Sequence, residues 1–469
     1  MKLEQLKYIY FLGIGGIGMS ALARWFHAKG YSVSGYDKTP TPLTNALQQE
    51  GIAVHFEDIP ANIPSEILLH PDKSLVVLTP AIPADNQELN YLKQYNLPIK
   101  KRSEVLGIIT ALRYTVAVAG THGKTTTSSV VAHLLHHAGV SCSAFLGGIS
   151  VNLNSNLLLH KGKEEGDVVV VEADEFDRSF LTLHPNIAIV TSADADHLDI
   201  YGDKSALTAS FQDFISQIQP NGFLIIHEEL ADELTLKMNP SVTVYTYAFD
   251  KGELKASNLE VKEHRFHFDI NSPLGNLQDV ELAVPGFHNV ENVLAATLAC
   301  QLLKVPAEVI KDGIKSYRGV KRRFEYVYEN SGKVYIDDYA HHPREIEAFL
   351  HSVKALYPGK KVKVIFQPHL YSRTRDFAPE FAQSLSLADE VVMLDIYPAR
   401  EKPIDGVSSD LIFKDITSAK KTLKTKPEIL AELRENRDFE VLATVGAGDI
   451  DTLVLPIKNI LENNADTLE

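Results

Sequence analysis

At 469 residues the chain is long enough for about three domains, and its composition excludes several classes of protein. The net charge of −15 argues against nucleic acid as the main partner, because that needs a basic face, although it leaves room for a local basic pocket that binds an anion. The two cysteines, Cys142 and Cys300, make no disulfide framework and are typical of core positions in a cytoplasmic protein, and no apolar run reaches the length of a membrane span.

The first predicted domain covers residues 1–107 and opens with a strand, a glycine-rich turn and a helix. The strand is predicted over 8–12 and the helix over 19–29, and between them lie the glycines of a dinucleotide-binding fingerprint, Gly13, Gly15 and Gly18. The N-terminus mimics a signal peptide, because Lys2 and Lys7 precede an apolar run. However, four glycines interrupt that run, so we expect this segment to be retained. The pattern predicts a pyrophosphate at the start of the helix, without indicating which nucleotide carries it.

Two further strands of this domain lead to polar side chains. A strand over 31–36 ends at Asp37, at about the distance expected for an acid that contacts a ribose. A strand over 74–82 carries the hydroxyl of Thr79 near its carboxyl end, which is the end at which open α/β sheets bind their ligands.

The second predicted domain, residues 108–316, contains the stretch that says most about function. A buried strand over 115–119 is followed by a glycine turn and a helix, and the turn ends in Lys124 and Thr125. In such a turn the backbone N–H groups face a phosphate, the lysine reaches the outer phosphates and the threonine hydroxyl contacts Mg²⁺. The full phosphate loop would have a glycine in place of Val118, so this is a shortened variant, and the alternative is an ordinary glycine turn. We expect Lys124 to lie in an open site, where its replacement by alanine removes turnover with little loss of fold.

Acidic residues follow two more strands of this domain. A strand over 167–171 leads to Glu172 and its acidic neighbours, and a strand over 187–191 leads to an acidic segment that contains His197. Acids at strand ends beside a phosphate loop hold Mg²⁺ directly or through water. These acids could equally be solvated in loops, and His197 could pack against the helix that follows.

The third predicted domain, residues 317–469, repeats the same layout. Its strands are predicted over 334–336, 362–366, 390–394 and 440–445. Helical patterns separate these strands, so a parallel sheet is expected, with polar residues at the strand ends. The whole chain is therefore predicted to be an α/β protein.

Eight motifs, taken in order, resemble those of the bacterial Mur ligases: GTHGKTTT, EADE, DADHLD, PGFHNVENVLAA, GVKRRFE, DDYAHHPREI, FQPHLYSRTRDF and GAGD. The resemblance implies a Rossmann-like N-terminal domain for a UDP-sugar, a central P-loop ATPase-like domain and a C-terminal Rossmann-like lid for an amino acid. It also implies a reaction in peptidoglycan precursor synthesis. ATP phosphorylates the lactyl carboxylate of UDP-N-acetylmuramate, and the amine of L-alanine attacks the acyl phosphate.

The resemblance also implies roles for individual residues. It places ATP at Gly120, Thr121, His122, Gly123, Lys124, Thr125 and Thr126, with Asn289, Asn292 and Arg323 on the ATP side. It places one Mg²⁺ on Thr125 and Glu172 and a second on His197. It assigns the UDP-sugar to Gly15, Ile17 and Gly18, with Asp37 and Thr79 at the same sheet end, and the amino acid to Tyr339, His341 and Arg373. The predicted catalytic residues are Lys124, Glu172, His197, His341 and Arg373.

Two details of these motifs stay open. From the residues alone, the amides of Asn289 and Asn292 either read a base edge or cap a helix predicted over 293–303. Leu370 stands where the family often has an arginine, so either Arg375 replaces that cation or the amino-acid carboxylate relies on Arg373 alone.

Three other functions compete with this interpretation. A recycling ligase that attaches a tripeptide to the same sugar shares most motifs, although FQPHLYSRT favours the single amino acid. An NAD-dependent dehydrogenase built on the first glycine turn leaves the phosphate loop unexplained, and a nucleotide switch would hydrolyse ATP slowly without making an amide. We expect a cytoplasmic monomer or weak homodimer that acts on small molecules, with neither nucleic acid nor membrane as a partner.

Overall fold

The computed structural model of the chain describes residues 3–160, 167–194, 201, 203–330, 332–399 and 401–463. It confirms an α/β protein with mostly parallel sheets. The chain forms two compact units. Unit 1 comprises residues 1–257, 269–278 and 291–316, and unit 2 comprises residues 258–268, 279–290 and 317–469.

The first sheet of unit 1 is parallel. Its strands are β1 (Tyr8–Leu12), β2 (Ser32–Tyr36), β3 (Ala53–His55), β4 (Ser74–Leu78) and β5 (Ile99–Lys101), in the order β3-β2-β1-β4-β5. The helices of this part are Ile17–Ala28, Pro42–Gln49, Ser65–Leu69, Gln87–Leu92 and Arg102–Thr110. Because Tyr8 of central β1 is in register with Ser32 and Ser74, the carboxyl ends of β1, β2 and β4 meet at one edge. The glycine turn, Asp37 and Thr79 therefore lie at the same edge of this sheet.

The second sheet of unit 1 has seven strands. They are β6 (Tyr114–Ala119), β7 (Cys142–Ser150), β8 (Ser155–Leu158), β9 (Val168–Ala173), β10 (Ile187–Val190), β11 (Phe223–His227) and β12 (Thr243–Tyr247), in the order β12-β11-β10-β6-β9-β7-β8. Only the pairing of β7 with β8 is antiparallel among these described strands. The valine-rich strands β6 and β9 lie side by side with their central residues fully buried, as expected for a parallel sheet covered on both faces. The acids after β9 and the turn after β6 thus come to one edge.

Further elements complete the described parts of the fold. The helices that follow β6 along the chain are Lys124–His137, Lys204–Ser216, Ala231–Leu234, Phe287–Leu302 and Ala307–Ser316. A three-stranded sheet has the order β13 (Lys255–Lys262), β14 (Arg265–Asn271) and β15 (Leu277–Leu282).

Unit 2 contains a six-stranded sheet. Its strands are β16 (Glu325–Asn330), β17 (Lys333–Asp338), β18 (Val362–Phe366), β19 (Glu390–Met393), β20 (Lys420–Leu423) and β21 (Val441–Val445), in the order β16-β17-β21-β18-β19-β20. The edge strand β16 is antiparallel, and the other pairings are parallel. The helices that follow β17 in unit 2 are Pro343–Leu356, Tyr371–Leu385, Asp410–Phe413, Lys426–Glu435 and Val454–Glu462.

Several element bounds differ from the predictions. The strand predicted over 74–82 ends at Leu78, so Thr79 is the first residue after it rather than part of it. The helix predicted over 293–303 is Phe287–Leu302, so the asparagines before the predicted start are inside it. The edge strands β16 and β20 were not among the predicted elements, because their exposed residues lack a clean apolar pattern. Cys142 and Cys300 are buried free thiols, as predicted. In the part of the chain that the structure describes, no helix is long and apolar enough to cross a membrane.

Candidate active site

Two glycines of the turn after β6 have backbone conformations that other residues rarely adopt. Gly120 has a φ of +139° and Gly123 has a φ of +81°. A Cβ on Gly120 would lie 2.1 Å from Thr191 Oγ1, and a Cβ on Gly123 would lie 2.7 Å from Asn292 Oδ1. The turn therefore needs glycine at both positions, for its backbone and for space.

Two hydroxyl residues that follow β10 hold this turn in place. Ser192 Oγ accepts a hydrogen bond from the His122 N–H at 2.7 Å, and the Ser192 carbonyl accepts one from the Thr121 N–H at 3.2 Å. Thr191 Oγ1 donates to the carbonyl of Ala119 at 3.2 Å. Neither residue was predicted from the sequence. The signal that could have found them is their place directly after a strand, at the sheet edge where ligands bind.

Lys124 begins the helix after the turn and lies in a buried ion pair. Its Nζ donates to Glu175 Oε2 at 2.8 Å, to Glu175 Oε1 at 3.0 Å and to the carbonyl of Gly120 at 2.5 Å. The side chain of Lys124 is 13% exposed and that of Glu175 is 0% exposed, so the expectation of an open site is wrong. Burial lowers the pKa of Lys124, but the carboxylates of Glu175, Asp174 and Glu172 more than offset this and raise it overall. Lys124 is therefore a cation held among carboxylates.

Thr125 and Glu172 form a second contact of the turn, at the predicted metal position. Thr125 Oγ1 lies 3.0 Å from each carboxylate oxygen of Glu172. Gly147 leaves room for this carboxylate, because a Cβ there would lie 2.0 Å from Glu172 Oε2. A hydroxyl and a carboxylate are oxygen ligands of the kind that Mg²⁺ prefers, so both residues fit the predicted ion. The predicted ligand His197 lies outside the described residues. Among those that are described, no group of three or more His, Cys, Asp or Glu side chains is arranged to hold a metal.

The remaining residues predicted to bind ATP lie in both units. Asn292 of unit 1 is buried, and its Oδ1 accepts a hydrogen bond from Thr127 Oγ1 at 3.0 Å, in the helix that follows the turn. Thr126 is half-buried in the first turn of the same helix. Asn289 belongs to unit 2, where its amide donates to the Pro285 carbonyl at 3.0 Å.

The N-terminal glycine turn is closed by Asp37. Its Oδ2 accepts a hydrogen bond from the Gly15 N–H at 2.7 Å, and a Cβ on Gly15 would lie 2.8 Å from the same oxygen. Thr79 packs against Gly13, where a Cβ would lie 2.6 Å from Thr79 Cγ2. Asp37 and Thr79 therefore shape the turn. Ile17, the first residue of the helix that follows, is 36% exposed.

A cleft of about 260 Å³ in unit 1 connects the N-terminal turn with the acids at the carboxyl end of β9. Its lining includes Gly16, Ile17, Gly18, Thr79, Arg102, Glu172 and Asp174. Arg102, which was not predicted from the sequence, lies against Gly18, and its Nη2 is 3.5 Å from Asp174 Oδ2. A basic residue at the first position of a helix that follows a strand of this sheet was the available signal. The cleft thus brings a cation and carboxylates together.

In unit 2, Tyr339, His341 and Arg323 lie together at the end of β17. The Cζ of Arg323 is 5.1 Å from the ring centroid of Tyr339, and the rings of Tyr339 and His341 are 5.4 Å apart. His341 Nδ1 is 3.0 Å from the Tyr339 carbonyl, which assigns the ring proton to Nδ1 and leaves Nε2 as the basic nitrogen. Burial lowers the pKa of His341 despite the carboxylate of Glu345, and Arg373 and Arg323 lower it further. The imidazole is therefore neutral at pH 7.

Leu370, which departs from the family pattern, directly follows His369, whose ring centroid is 6.1 Å from that of His341. It has a φ of +70°, in the left-handed region that is strained for leucine. Arg375 forms an exposed ion pair with Asp376 at 2.7 Å. Arg373, in contrast, acts electrostatically on His341. Of the two arginines, Arg373 is thus the one associated with the cluster.

Three family models match successive parts of the chain. The model described as "Mur ligase family, catalytic domain" matches residues 8–114, the "Mur ligase middle domain" matches 118–300, and the "Mur ligase, glutamate ligase domain" matches 322–450.

Relatives match over almost the full length. A UDP-N-acetylmuramate–L-alanine ligase of Cytophaga hutchinsonii is 46% identical over 462 residues, or 98% of each chain. One from Porphyromonas gingivalis is 50% identical over 97% of this chain and 99% of its own. A crystal structure of a UDP-N-acetylmuramate-alanine ligase from Thermotoga maritima has a TM-score of 0.79 and 29% identity, covering 98% of this chain and 99% of that one. A murein peptide ligase from Psychrobacter arcticus has the same fold. Its TM-score is 0.69 and its identity 23%, covering 96% of this chain and 98% of that one.

Proposed function

Because the chain belongs to the Mur ligase family, we propose that it is the ATP-dependent ligase that joins L-alanine to UDP-N-acetylmuramate in peptidoglycan precursor synthesis. In the first step a lactyl carboxylate oxygen attacks the γ-phosphorus of ATP, the bond to the β–γ bridging oxygen breaks, and ADP leaves. In the second step the amine of L-alanine attacks the acyl carbon, inorganic phosphate leaves, and the amine gives up its proton as the amide forms.

One observation carries the proposal. Relatives that are named as ligases for these substrates are 46% and 50% identical over at least 97% of the chain. The similarity therefore covers the N-terminal turn, the phosphate turn and the histidine cluster of unit 2, rather than a nucleotide-binding motif alone.

The phosphate turn supplies the nucleotide site. Both reactants of the first step are anionic, so phosphoryl transfer to a carboxylate depends on cations more than on a covalent nucleophile. Lys124 is the cation for the outer phosphates. Two Mg²⁺ ions are proposed: Thr125 and Glu172 would hold one, and His197 would hold the other. When bound, Mg²⁺ neutralises charge on the phosphates and the carboxylate.

The cleft of unit 1 is the proposed site of the UDP-sugar. The pyrophosphate lies at Gly15, Ile17 and Gly18, at the start of helix Ile17–Ala28, where the N–H groups of the first turn and the helix dipole favour an anion; the Gly15 N–H itself is bonded to Asp37. Arg102 adds a fixed cation beside this turn. Because the cleft extends from the turn to Glu172, it can place a sugar carboxylate near the phosphate turn.

The cluster in unit 2 is the proposed site of L-alanine. Arg373 binds the α-carboxylate, for which a planar guanidinium offers two parallel donors. The neutral His341 accepts the proton of the attacking amine at Nε2, since its Nδ1 is already protonated. Tyr339, with Arg323 over its ring, forms a wall of this site.

An omission series tests the proposal. ADP release and product mass are measured with UDP-N-acetylmuramate, ATP, Mg²⁺ and L-alanine, and then with each component left out; D-alanine is the matched control for the amine. We expect ADP and amide in equal amounts only when all four are present. ADP release that is indifferent to L-alanine, or ADP without amide, would indicate the nucleotide switch instead.

Two further assays test the recycling ligase and the dehydrogenase. Competition between L-alanine and the tripeptide for the same sugar distinguishes the proposed ligase from the recycling ligase, and we expect L-alanine to be used. Fluorescence of bound NADH tests the dehydrogenase, and we expect no tight signal.

We also propose the organisation that the motifs predict. The UDP-sugar domain covers residues 1–107, the ATP domain 108–316 and the amino-acid domain 317–469. The chain acts in the cytoplasm, where its nucleotide substrates are found, as a monomer or weak homodimer. Light scattering across a range of protein concentrations tests the oligomeric state.

A further inference from the structure

We propose that Glu175 is a positioning residue that competes with the nucleotide for Lys124, so that ATP binding replaces one of its two bonds to the lysine by a bond to a phosphate oxygen. The inference rests on the proposed function in that ATP is taken as the nucleotide. It goes further, because no role in the proposed reaction was given to Glu175.

The number of donors on Lys124 limits how many oxygens it can bind. An ammonium group has three N–H donors and no acceptor. In the structure these three donors go to two oxygens of Glu175, at 2.8 and 3.0 Å, and to the carbonyl of Gly120, at 2.5 Å. A phosphate oxygen can therefore bond to Nζ only if one of these chain oxygens gives up its place.

Glu175 supplies the oxygen that is released from Lys124. The Gly120 carbonyl is neutral and belongs to the turn itself, whereas Glu175 is an anion that repels a phosphate at the same nitrogen. The glutamate side chain is fully buried, and the hydroxyl of Tyr201 donates to its backbone carbonyl at 2.6 Å. Because the backbone of Glu175 is held in this way, the exchange takes place by a rotation of the carboxylate, which keeps one oxygen on the lysine.

Removing the competition of Glu175 for Lys124 strengthens nucleotide binding. Glu175→Gln keeps one oxygen that can accept from Nζ, but it loses the charge and the second acceptor. The bond that a phosphate must displace is then absent, and the repulsion is removed. We expect the variant to bind nucleotide about tenfold more tightly, which corresponds to about 1.4 kcal/mol.

The experiment is calorimetric titration with a non-hydrolysable ATP analogue in the presence of Mg²⁺, without sugar or amino acid. It compares the full-length parent chain with the variants Glu175→Gln and Glu175→Asp. Asp174→Asn is the matched control, because it removes a neighbouring carboxylate that influences Lys124 electrostatically but is not among its bonded partners. Tighter binding is the decisive readout, since a purely structural loss weakens binding.

We expect the dissociation constant to fall about tenfold in Glu175→Gln and by no more than about threefold in Asp174→Asn. If Glu175→Gln does not fold, Glu175→Asp carries the test: its shorter carboxylate reaches Nζ with one oxygen, so binding tighter than in the parent is expected. Unchanged or weaker binding in the folded Glu175 variants would overturn the inference, as would equal tightening by Asp174→Asn. A parent chain that binds no nucleotide would instead contradict the proposed function.

Discussion

Replacing Lys124 by methionine tests whether the lysine is a structural partner as well as a phosphate ligand. Methionine keeps most of the side-chain volume but leaves the carboxylate of Glu175, which is 0% exposed, without its cation. Removing one partner of a buried ion pair costs about 3–5 kcal/mol, because the other charge stays buried without compensation. At roughly 2 °C per kcal/mol for a unit of this size, the melting temperature of unit 1 should fall by about 6–10 °C. We expect activity to fall by about 100- to 1000-fold as a phosphate cation is lost.

The matched control is the double variant Lys124→Met with Glu175→Gln. It replaces the ion pair by two neutral side chains of similar size, and such replacements are often close to neutral for stability. Scanning calorimetry at one heating rate should therefore place the double variant within about 2 °C of the parent, while its activity stays low. A single variant as stable as the parent would refute the reasoning, because Glu175 would then tolerate burial alone.

Three more predictions address a buried acid, the metal position and the amino-acid site. Burial raises the pKa of Glu88 from 4.5 to about 7, and Asp58 adds to this. A raised carboxyl pKa means that stability present below pH 4.5 is lost as the pH rises through 7. Between pH 5 and pH 8 the parent should therefore lose about 2.5 kcal/mol of unfolding free energy relative to Glu88→Gln, as measured by urea titration. Parallel pH profiles of the parent and the variant would contradict this. Thr125→Val removes the hydroxyl beside Glu172 but keeps the shape of the side chain, so we expect the Mg²⁺ concentration for half-maximal rate to rise about tenfold. The control Thr125→Ser keeps the hydroxyl and should match the parent. An unchanged Mg²⁺ requirement in the valine variant would exclude Thr125 as a ligand. Arg373→Lys loses the paired donors of the guanidinium, so the KM for L-alanine should rise about tenfold while the KM for ATP changes less than about twofold. Equal changes in both KM values would argue against a contact between Arg373 and the carboxylate of L-alanine.

Local patterns in the sequence determined much of this protein. The β-branched run of β6, the glycines at 120 and 123 and the helix from Lys124 form one continuous stretch, so the phosphate turn could be predicted from its own residues. The same holds for the N-terminal turn and for the parallel strands of unit 2, because apolar periodicity and glycine placement act over a few residues. The contact between Thr125 and Glu172 agrees with the shared metal position that the family resemblance implies.

Only the tertiary structure decided which distant residues meet at these turns. Lys124 and Glu175 are 51 positions apart, and Arg102 and Asp174 are 72 apart. The first pair depends on β9 lying beside β6, and the second joins the helix after β5 of the first sheet to the residues after β9; no local pattern encodes either arrangement. The order of the strands decides which buried side chains come into contact. The sequence therefore predicted a lysine that binds phosphate, whereas only the fold showed that this lysine is bonded to a buried glutamate.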